Sequence, residues 1–145
     1  MGVVTMATNK YQNCIDECNR CAQACKECFK ACLNEPDVSA RKKCISMLTE
    51  CAEMCDMSSS LMSMDAQISK DHCSLCATVC NQCEQECNMF KDDHCKKCAQ
   101  ECHTWVFVKR ILGGYSIKAL PGKMAEKHQN LQVWDFIYLK RWQIG

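Results

Sequence analysis

The amino-acid sequence predicts an all-α protein, an antiparallel up-down-up-down four-helix bundle whose core is lined with cysteine. Three observations predict this fold. Cysteines recur at alternating steps of three and four residues, polar side chains fill the gaps, and helix-breaking segments separate four such stretches. A residue that recurs at this spacing returns to one face of a helix. We therefore expect a bundle over residues 1–112 and a C-terminal extension over residues 113–145.

The first predicted helix, residues 8–33, carries the longest stripe of cysteines. Six of them follow one another at steps of +4, +3, +4, +3 and +4, the a/d rhythm of a heptad repeat. They are Cys14, Cys18, Cys21, Cys25, Cys28 and Cys32. At the helical rise the stripe is about 27 Å long. The first helix therefore lays a row of thiols along the inside of the bundle.

The other cysteines form three shorter stripes, on predicted helices at residues 37–61, 65–89 and 92–112. Leu48 fills the one missing position of the rhythm in the second helix. These cysteines are Cys44, Cys51, Cys55, Cys73, Cys76, Cys80, Cys83, Cys87, Cys95, Cys98 and Cys102. Because the connections between the helices are short, we expect neighbouring helices to run antiparallel.

Helix-breaking and helix-capping residues separate the four stripes. Pro36 ends the first helix, because proline cannot continue a helix but can begin the next one. Ser63 or Asp65, in a Ser-rich stretch, is the predicted N-cap of the third helix, and Asp92 is that of the fourth.

Cysteine supplies most of the predicted core. Between Lys10 and Thr104 there are 11 residues of Leu, Ile, Val or Phe, against 17 cysteines. One or two buried cysteines usually act as small apolar residues. So many of them on four aligned stripes would leave voids in a close-packed interior, which indicates that the thiols serve a chemical purpose.

Composition and charge exclude several other classes of protein. The formal net charge of the 145-residue chain is +1, so nothing favours nucleic-acid binding. The chain contains no apolar run of transmembrane length, and residues 1–10 lack a signal-peptide pattern. We therefore expect no membrane association and a cytoplasmic location, where thiols stay reduced.

Soft metal ions are the ligands that such a thiol-lined interior predicts. Thiolates select Cu(I), Zn(II) or iron–sulfur clusters. Each Cu(I) offsets about one thiolate charge, whereas a tetrahedral Zn(Cys)₄ site keeps two negative charges that are costly to bury. No Lys or Arg lies on the cysteine stripes of the first three helices, so no compensating cation is expected there. The balance favours several Cu(I) ions per chain, with all 17 cysteines as candidate ligands.

Iron–sulfur and catalytic alternatives fit the spacing less well. The ferredoxin run C-x₂-C-x₂-C never occurs, because two- and three-residue gaps alternate strictly. The many C-x₂-C pairs lie in the middle of helices rather than beside a βαβ pattern, which argues against thioredoxin-like chemistry. The sequence contains neither a Ser/His/Asp arrangement nor a phosphate loop, so we do not expect an enzyme.

The cysteine pattern resembles that of the bacterial cytosolic copper-storage proteins over about residues 10–104. The resemblance rests on three motifs: the stripe from Cys14 to Cys32, the stretch Cys73-Ser74-Leu75-Cys76, and Asp93-His94-Cys95-x₂-Cys98-x₃-Cys102. It implies a four-helix bundle that stores many Cu(I) ions on thiolates, usually as a homotetramer. Such storage would keep copper for later use or limit its toxicity.

The sequence departs from this family at the end of the fourth helix. Family members typically continue that helix with two further cysteines, whereas Trp105 and Lys109 stand at those positions here. Beyond His103 there is no cysteine, yet all three tryptophans lie there. The abrupt change favours an extension at 113–145 that is foreign to the bundle. The alternative is a genuine segment that covers the bundle or an oligomer contact.

Two ends of the bundle are candidate access points for metal. Met57, Met62, His72 and His103 are expected with Cys14 at one end, and His94 lies at the other. Thioether and imidazole groups bind copper, although gap-filling methionines and solvated histidines would explain the same residues. The charge runs Arg41-Lys42-Lys43 and Lys96-Lys97 are expected to be solvated.

Two alternative functions remain open at this point. A zinc or general soft-metal buffer of the metallothionein type would also use clustered thiolates. A structural protein crosslinked by disulfides would suit the cysteine content, although the odd count leaves one thiol unpaired.

Overall fold

Four α-helices form the structure of this chain, a computed structural model that describes residues 9–112, with the side chains of 110–112 left undescribed. The helices are α1 (Gln12–Leu33), α2 (Lys42–Ser63), α3 (Ser69–Cys87) and α4 (Asp93–Leu112). A short 3₁₀ turn, Val38–Arg41, precedes α2. The expectations for residues 1–8 and for the extension at 113–145 lie outside the described residues.

The helices run up, down, up and down, as predicted. Cysteine pairs across α1 and α4 fall in opposite order along the two helices: Cys21 meets Cys102, Cys25 meets Cys98 and Cys28 meets Cys95. The same reversal holds between α2 and α3, where Cys51 and Cys55 contact Cys80 and Cys76. Each helix packs against two neighbours, which confirms the antiparallel bundle.

Helix α1 begins four residues later than predicted. The Asn9 side-chain oxygen accepts a hydrogen bond from the Tyr11 amide at 2.7 Å, and the Asn9 carbonyl accepts one from Gln12 at 2.9 Å. A short polar side chain that binds the backbone two residues onward favours a turn over a helix. Asn9 therefore holds the chain in a turn ahead of the first cysteine stripe.

The connection between α2 and α3 differs from the predicted capping. Asp65 adopts a left-handed conformation, with φ of 49°. Its amide donates to the Met62 carbonyl at 3.1 Å, and the Ala66 amide donates to the Leu61 carbonyl at 3.0 Å. This pair of bonds is a Schellman motif, which ends a helix. Neither Ser63 nor Asp65 therefore caps α3, which begins at Ser69 without a side-chain cap.

The connection between α1 and α2 also contains a residue whose solvent exposure was predicted wrongly from the sequence. Arg41 ends the 3₁₀ turn and is only 4% exposed, so the expectation that it is solvated is wrong. Its Nε donates to Asp37 at 2.6 Å, and its Nη1 lies 2.7 Å from the carboxylate of Asp92, just before α4. Its guanidinium also lies over the ring of Phe90. Arg41 thus ties the connection between α1 and α2 to the connection between α3 and α4.

Sulfur fills the centre of the bundle. All 17 cysteines are buried, and of the larger side chains Leu48, Met62 and Trp105 share the interior with them. The charged residues between the cysteines mostly face outward, as the amphipathic pattern requires. Among the described residues, no helix is both long enough and apolar enough to cross a lipid bilayer.

Candidate metal centre

The cysteines are free thiols, and they form one connected column along the bundle axis. None of the 17, all of which lie in the described residues, takes part in a disulfide. In the middle of the column, Cys102 of α4 lies 3.6 Å from Cys21 of α1 and 3.8 Å from Cys51 of α2, sulfur to sulfur. Helices far apart in sequence therefore bring their thiols into direct contact.

Several groups of three or four ligand atoms lie within 4.8 Å of one another, close enough to share a metal ion. Among them are four groups of three or four cysteines drawn from different helices. They are Cys21, Cys25, Cys51 and Cys102; Cys21, Cys51, Cys55 and Cys80; Cys25, Cys83, Cys98 and Cys102; and Cys28, Cys87 and Cys98. Because these groups share members, a bound ion in one would have bridging sulfurs in the next.

A mixed group occupies the end of the bundle where α4 begins, which we call the His94 end. It consists of Cys28, Cys32, Cys95 and the imidazole of His94, and His94 is its only partly exposed member. The Nδ1 atom of His94 lies 3.4 Å from the Cys95 sulfur and 3.5 Å from that of Cys28. Its Nε2 atom contacts Glu35 at 3.0 Å, and such a contact fixes the orientation of a ligating ring.

A cation also lies at the His94 end, which corrects the expectation that no positive charge accompanies the thiols. The Nη1 atom of Arg41 donates to the sulfurs of Cys95 at 3.7 Å and Cys32 at 3.9 Å. The sequence reasoning missed this residue because Arg41 lies in a connection rather than on a cysteine stripe. The i, i+4 spacing of Asp37 and Arg41 was the feature of the sequence that could have predicted an ion pair there.

The opposite end, which we call the Trp105 end, comprises Cys14, Met62, Cys73 and Trp105. The indole of Trp105 is fully buried, and its Nε1 donates to the Cys76 sulfur at 3.2 Å. Met62 is buried as well. The Trp105 end therefore combines two cysteines with two bulky side chains.

Two other residues expected at the Trp105 end lie elsewhere. His103 contacts Glu84 at 3.1 Å, beside the central Cys102, so it does not reach the end of the bundle. Met57 is about half exposed on the outside of α2. His72 does lie near the end, where its Nδ1 atom is 2.8 Å from the hydroxyl of Ser58. Of the proposed thioether and imidazole groups, Met62 and His72 thus stay near Cys73.

Burial and mutual hydrogen bonding pull the pKa values of the thiols in opposite directions. Burial raises the pKa of Cys18 and Cys80, because an apolar interior penalises the charged thiolate. Hydrogen bonds, first from Cys87 and then from Cys98, hold the pKa of Cys28 well below its ordinary value. Burial therefore disfavours the thiolate, which is the form that binds metal, whereas hydrogen bonds between the thiols favour it.

At the His94 end, charged side chains also affect the pKa values of Cys32 and His94. Burial raises the pKa of Cys32 to about 11, although the hydrogen bond from Arg41 opposes it. Burial lowers the pKa of His94, but hydrogen bonds with the Cys28 sulfur and the Glu35 carboxylate outweigh this and raise it. An imidazole, three thiols and a guanidinium are therefore in direct electrostatic contact.

Fold and site together define a class of protein: a four-helix bundle whose interior offers a column of soft ligands to metal ions. The profile of the Csp family, described as copper storage protein, matches residues 7–107. The chain belongs to the copper storage protein family. That family is one of storage proteins rather than of known enzymes, and the match favours copper over the zinc and disulfide alternatives.

Solved structures of this family resemble the chain over most of its length. The Cu(I)-bound copper storage protein BsCsp3 is 35% identical, with a TM-score of 0.68, and the alignment covers 71% of this chain and 97% of that one. The apo form of copper storage protein 3 from Bacillus subtilis is also 35% identical, with a TM-score of 0.66 and coverage of 70% and 97%.

A third structure is a cytosolic copper storage protein from Streptomyces lividans with five coppers. It is 34% identical, with a TM-score of 0.69, and the alignment covers 74% of this chain and 94% of that one. No curated protein sequence matched the chain.

Proposed function

We propose that this protein stores several Cu(I) ions per chain on cysteine thiolates inside its four-helix bundle. The observation that carries the proposal is the connected column of buried sulfurs, in which overlapping groups of ligand atoms lie within 4.8 Å of one another. A sulfur that bridges two ions lets successive groups fill without further ligands. The Cu(I)-bound and five-copper states of the two relatives support the same cargo.

Charge supports copper over zinc as the cargo. With about one Cu(I) for each thiolate, the filled interior is nearly neutral, whereas each buried Zn(Cys)₄ site keeps two negative charges. Arg41 contacts the sulfurs of Cys32 and Cys95, and Asp37 and Asp92 already engage its charge. The interior therefore has little spare positive charge to offset several zinc sites.

The cysteines are the proposed ligands, and residues 1–112 are the proposed storage unit, with 113–145 as an extension to it. All 17 cysteines are ligand candidates from the sequence. His94 is an additional ligand candidate because its Nδ1 atom lies beside two sulfurs. Storage requires reversible binding and no chemical conversion, so we propose no catalytic residue.

Loading with excess Cu(I) tests the function directly. Fully reduced protein is mixed with excess Cu(I) under anaerobic conditions and desalted, and the copper and protein that elute together are quantified. We expect many ions to be retained by each chain. Retention of only one or two would contradict storage, because the connected column offers far more ligand groups than that.

Two further measurements separate the alternatives. Competition between Cu(I) and Zn(II) at controlled free-metal concentrations should leave copper bound, and retained zinc would support the metallothionein-type buffer. Thiol titration of protein denatured without reductant should detect nearly all 17 thiols. A low thiol count would support the disulfide-crosslinked alternative.

We also propose a cytoplasmic location and a homotetramer. The relative from Streptomyces lividans is a cytosolic protein, and reduced thiols are stable in that compartment. Light scattering on the eluting protein should give four times the mass of the 16.5 kDa chain. A mass of one chain would contradict the tetramer and leave storage unaffected, because each ligand group lies within one bundle.

A further inference from the structure

Trp105 occupies a place on α4 that continues the spacing of its cysteines. The steps from Cys95 to Cys98, Cys102 and Trp105 are three, four and three residues, so Trp105 faces the same interior as the thiols. Its side chain is 0% exposed. An indole is far larger than a thiomethyl group, so it fills space that sulfur and metal would otherwise occupy.

The two cysteines of the Trp105 end differ from all the others in exposure. Cys14 and Cys73 are each 6% exposed, whereas the other cysteines are 0% or 1% exposed. They belong to the first turn of α1 and the first two turns of α3. The thiols of this end therefore lie at the margin of the column rather than within it.

The two cysteines also differ in their neighbours. Each of the other fifteen sulfurs, which are the 17 less Cys14 and Cys73, hydrogen-bonds to another sulfur or lies within 4.8 Å of several. Within the described residues, Cys14 and Cys73 make no such sulfur–sulfur hydrogen bond. Two thiolates that share one ion at a metal–sulfur bond of about 2.3 Å can be at most about 4.6 Å apart. Cys14 and Cys73 thus stand outside the hydrogen-bonded sulfur network in which such short spacings occur.

At the next position in the spacing along α4, a positively charged residue stands where a cysteine ligand would continue the pattern. Lys109 follows Trp105 by four residues, and its Nζ atom donates to the Ser74 hydroxyl at 3.0 Å, beside Cys73. Its charge acts on the sulfurs of both Cys14 and Cys73. Lys109 therefore places a positive charge, rather than a further thiol, beside the two outer cysteines.

We propose that Trp105 is the boundary of the storage core: fifteen cysteines hold the copper, and Cys14 and Cys73 lie beyond the boundary and hold none. The inference rests on the proposed storage function and specifies which ligands carry it. Trp105 acts as a positioning residue, because its Nε1–H group holds the Cys76 sulfur at the last filled level of the column. Its indole occupies the position on α4 where the spacing would place a further thiol beyond that level.

Paired serine variants test the boundary. The Cys14→Ser/Cys73→Ser protein is compared with the matched variant Cys18→Ser/Cys76→Ser, whose residues lie one turn further inside on the same two helices. Both are loaded with excess Cu(I) and desalted, and helix content is checked by circular dichroism. We expect the outer pair to retain as much copper as the unmodified protein, and the inner pair to lose at least one ion per chain.

The possible outcomes separate the inference from the function on which it rests. Equal losses from the two pairs would overturn the boundary while leaving storage intact. Retention of only one or two ions by the unmodified protein would overturn storage, and the boundary with it.

A second variant tests the role of the indole itself. Trp105→Cys restores a thiol at the boundary and should raise the number of retained ions by at least one, and Trp105→Phe, which keeps the bulk, should not. The gain should disappear when Cys14 and Cys73 are also changed to serine. A gain in the Phe variant, or no gain in a folded Cys variant, would overturn the role of Trp105.

Discussion

The guanidinium of Arg41, in the connection between α1 and α2, donates a hydrogen bond at 3.7 Å to the sulfur of Cys95 in the first turn of α4. The same group is ion-paired with Asp37 and Asp92. One buried side chain thus joins the outer carboxylates of the His94 end to the thiol column within. The carboxylates at this end of the bundle and the thiols inside it therefore share one cation.

Replacing Arg41 should destabilise the apo protein. In Arg41→Met the apolar chain is kept, but two carboxylates and two sulfurs lose their donor. Hydrogen bonds to charged groups contribute about 1.5–3 kcal/mol each when buried, and the exposure of Asp37 reduces this, so we expect a loss of about 1–3 kcal/mol in the free energy of unfolding. Urea denaturation of reduced protein measures it.

Lys42 supplies the matched control for this substitution, because it is the next residue and is exposed. Lys42→Met should change the free energy of unfolding by no more than about 0.5 kcal/mol. Equal effects of the two substitutions would contradict the structural role of Arg41.

The free energy of unfolding should fall at acidic pH, because Asp37 and Asp92, the carboxylate partners of Arg41, become protonated. Hydrogen bonds from Arg41 lower the pKa values of Asp37 and Asp92 below their ordinary value. A carboxylate whose pKa is lower in the folded state stabilises the fold fully above its unfolded pKa of about 3.9. That contribution is lost as the pH falls from there through the folded pKa.

Urea denaturation between pH 6 and pH 3 measures this dependence. The unmodified protein should lose more stability over this range than Arg41→Met, since the variant lacks the interaction that lowers both pKa values. Parallel curves for the two proteins would show that other carboxylates account for the acid sensitivity.

Truncation of Trp105 should be among the most destabilising single changes in the apo bundle. Its fully buried indole packs in the core and donates to Cys76. Trp105→Ala leaves a cavity and should cost about 3–5 kcal/mol. Trp105→Phe keeps most of the volume and loses the hydrogen bond, so it should cost less, about 1–2 kcal/mol. Thermal and urea unfolding would measure both, and equal losses would contradict the packing argument.

The left-handed backbone of Asp65 predicts a substitution that stabilises the protein. Glycine adopts a positive φ without steric cost, so Asp65→Gly should raise the free energy of unfolding by up to about 1 kcal/mol. The lost ion pair with Lys10 is solvent-exposed on both sides and offsets little of this gain.

Alanine at the same position provides the contrasting variant. Asp65→Ala removes the same carboxylate but cannot adopt the conformation without strain, so it should be less stable than the unmodified protein. If Asp65→Gly and Asp65→Ala had the same stability, the Schellman geometry would not determine the end of α2.

Helix periodicity made most of this fold predictable. The +3/+4 steps from Cys14 to Cys32 specify one face of a helix, and that face is buried in the structure. The ends of helices were less predictable, because the same polar residue serves different purposes. Aspartate is a common N-cap residue, which is why Asp65 was predicted to begin α3. In the structure it follows the C-terminus of α2, where its left-handed backbone conformation closes a Schellman motif.

The sequence alone determined the kind of ligand and its place on the inner face of each helix, because residue spacing and helical geometry are local properties. Only the tertiary structure decided which thiols meet, such as Cys21 with Cys102, and that Arg41 and His94 join them at one end. It also decided that Cys14 and Cys73 are the two most exposed of the cysteines. These relationships depend on how four helices align in space, and distance along the chain carries no information about that alignment.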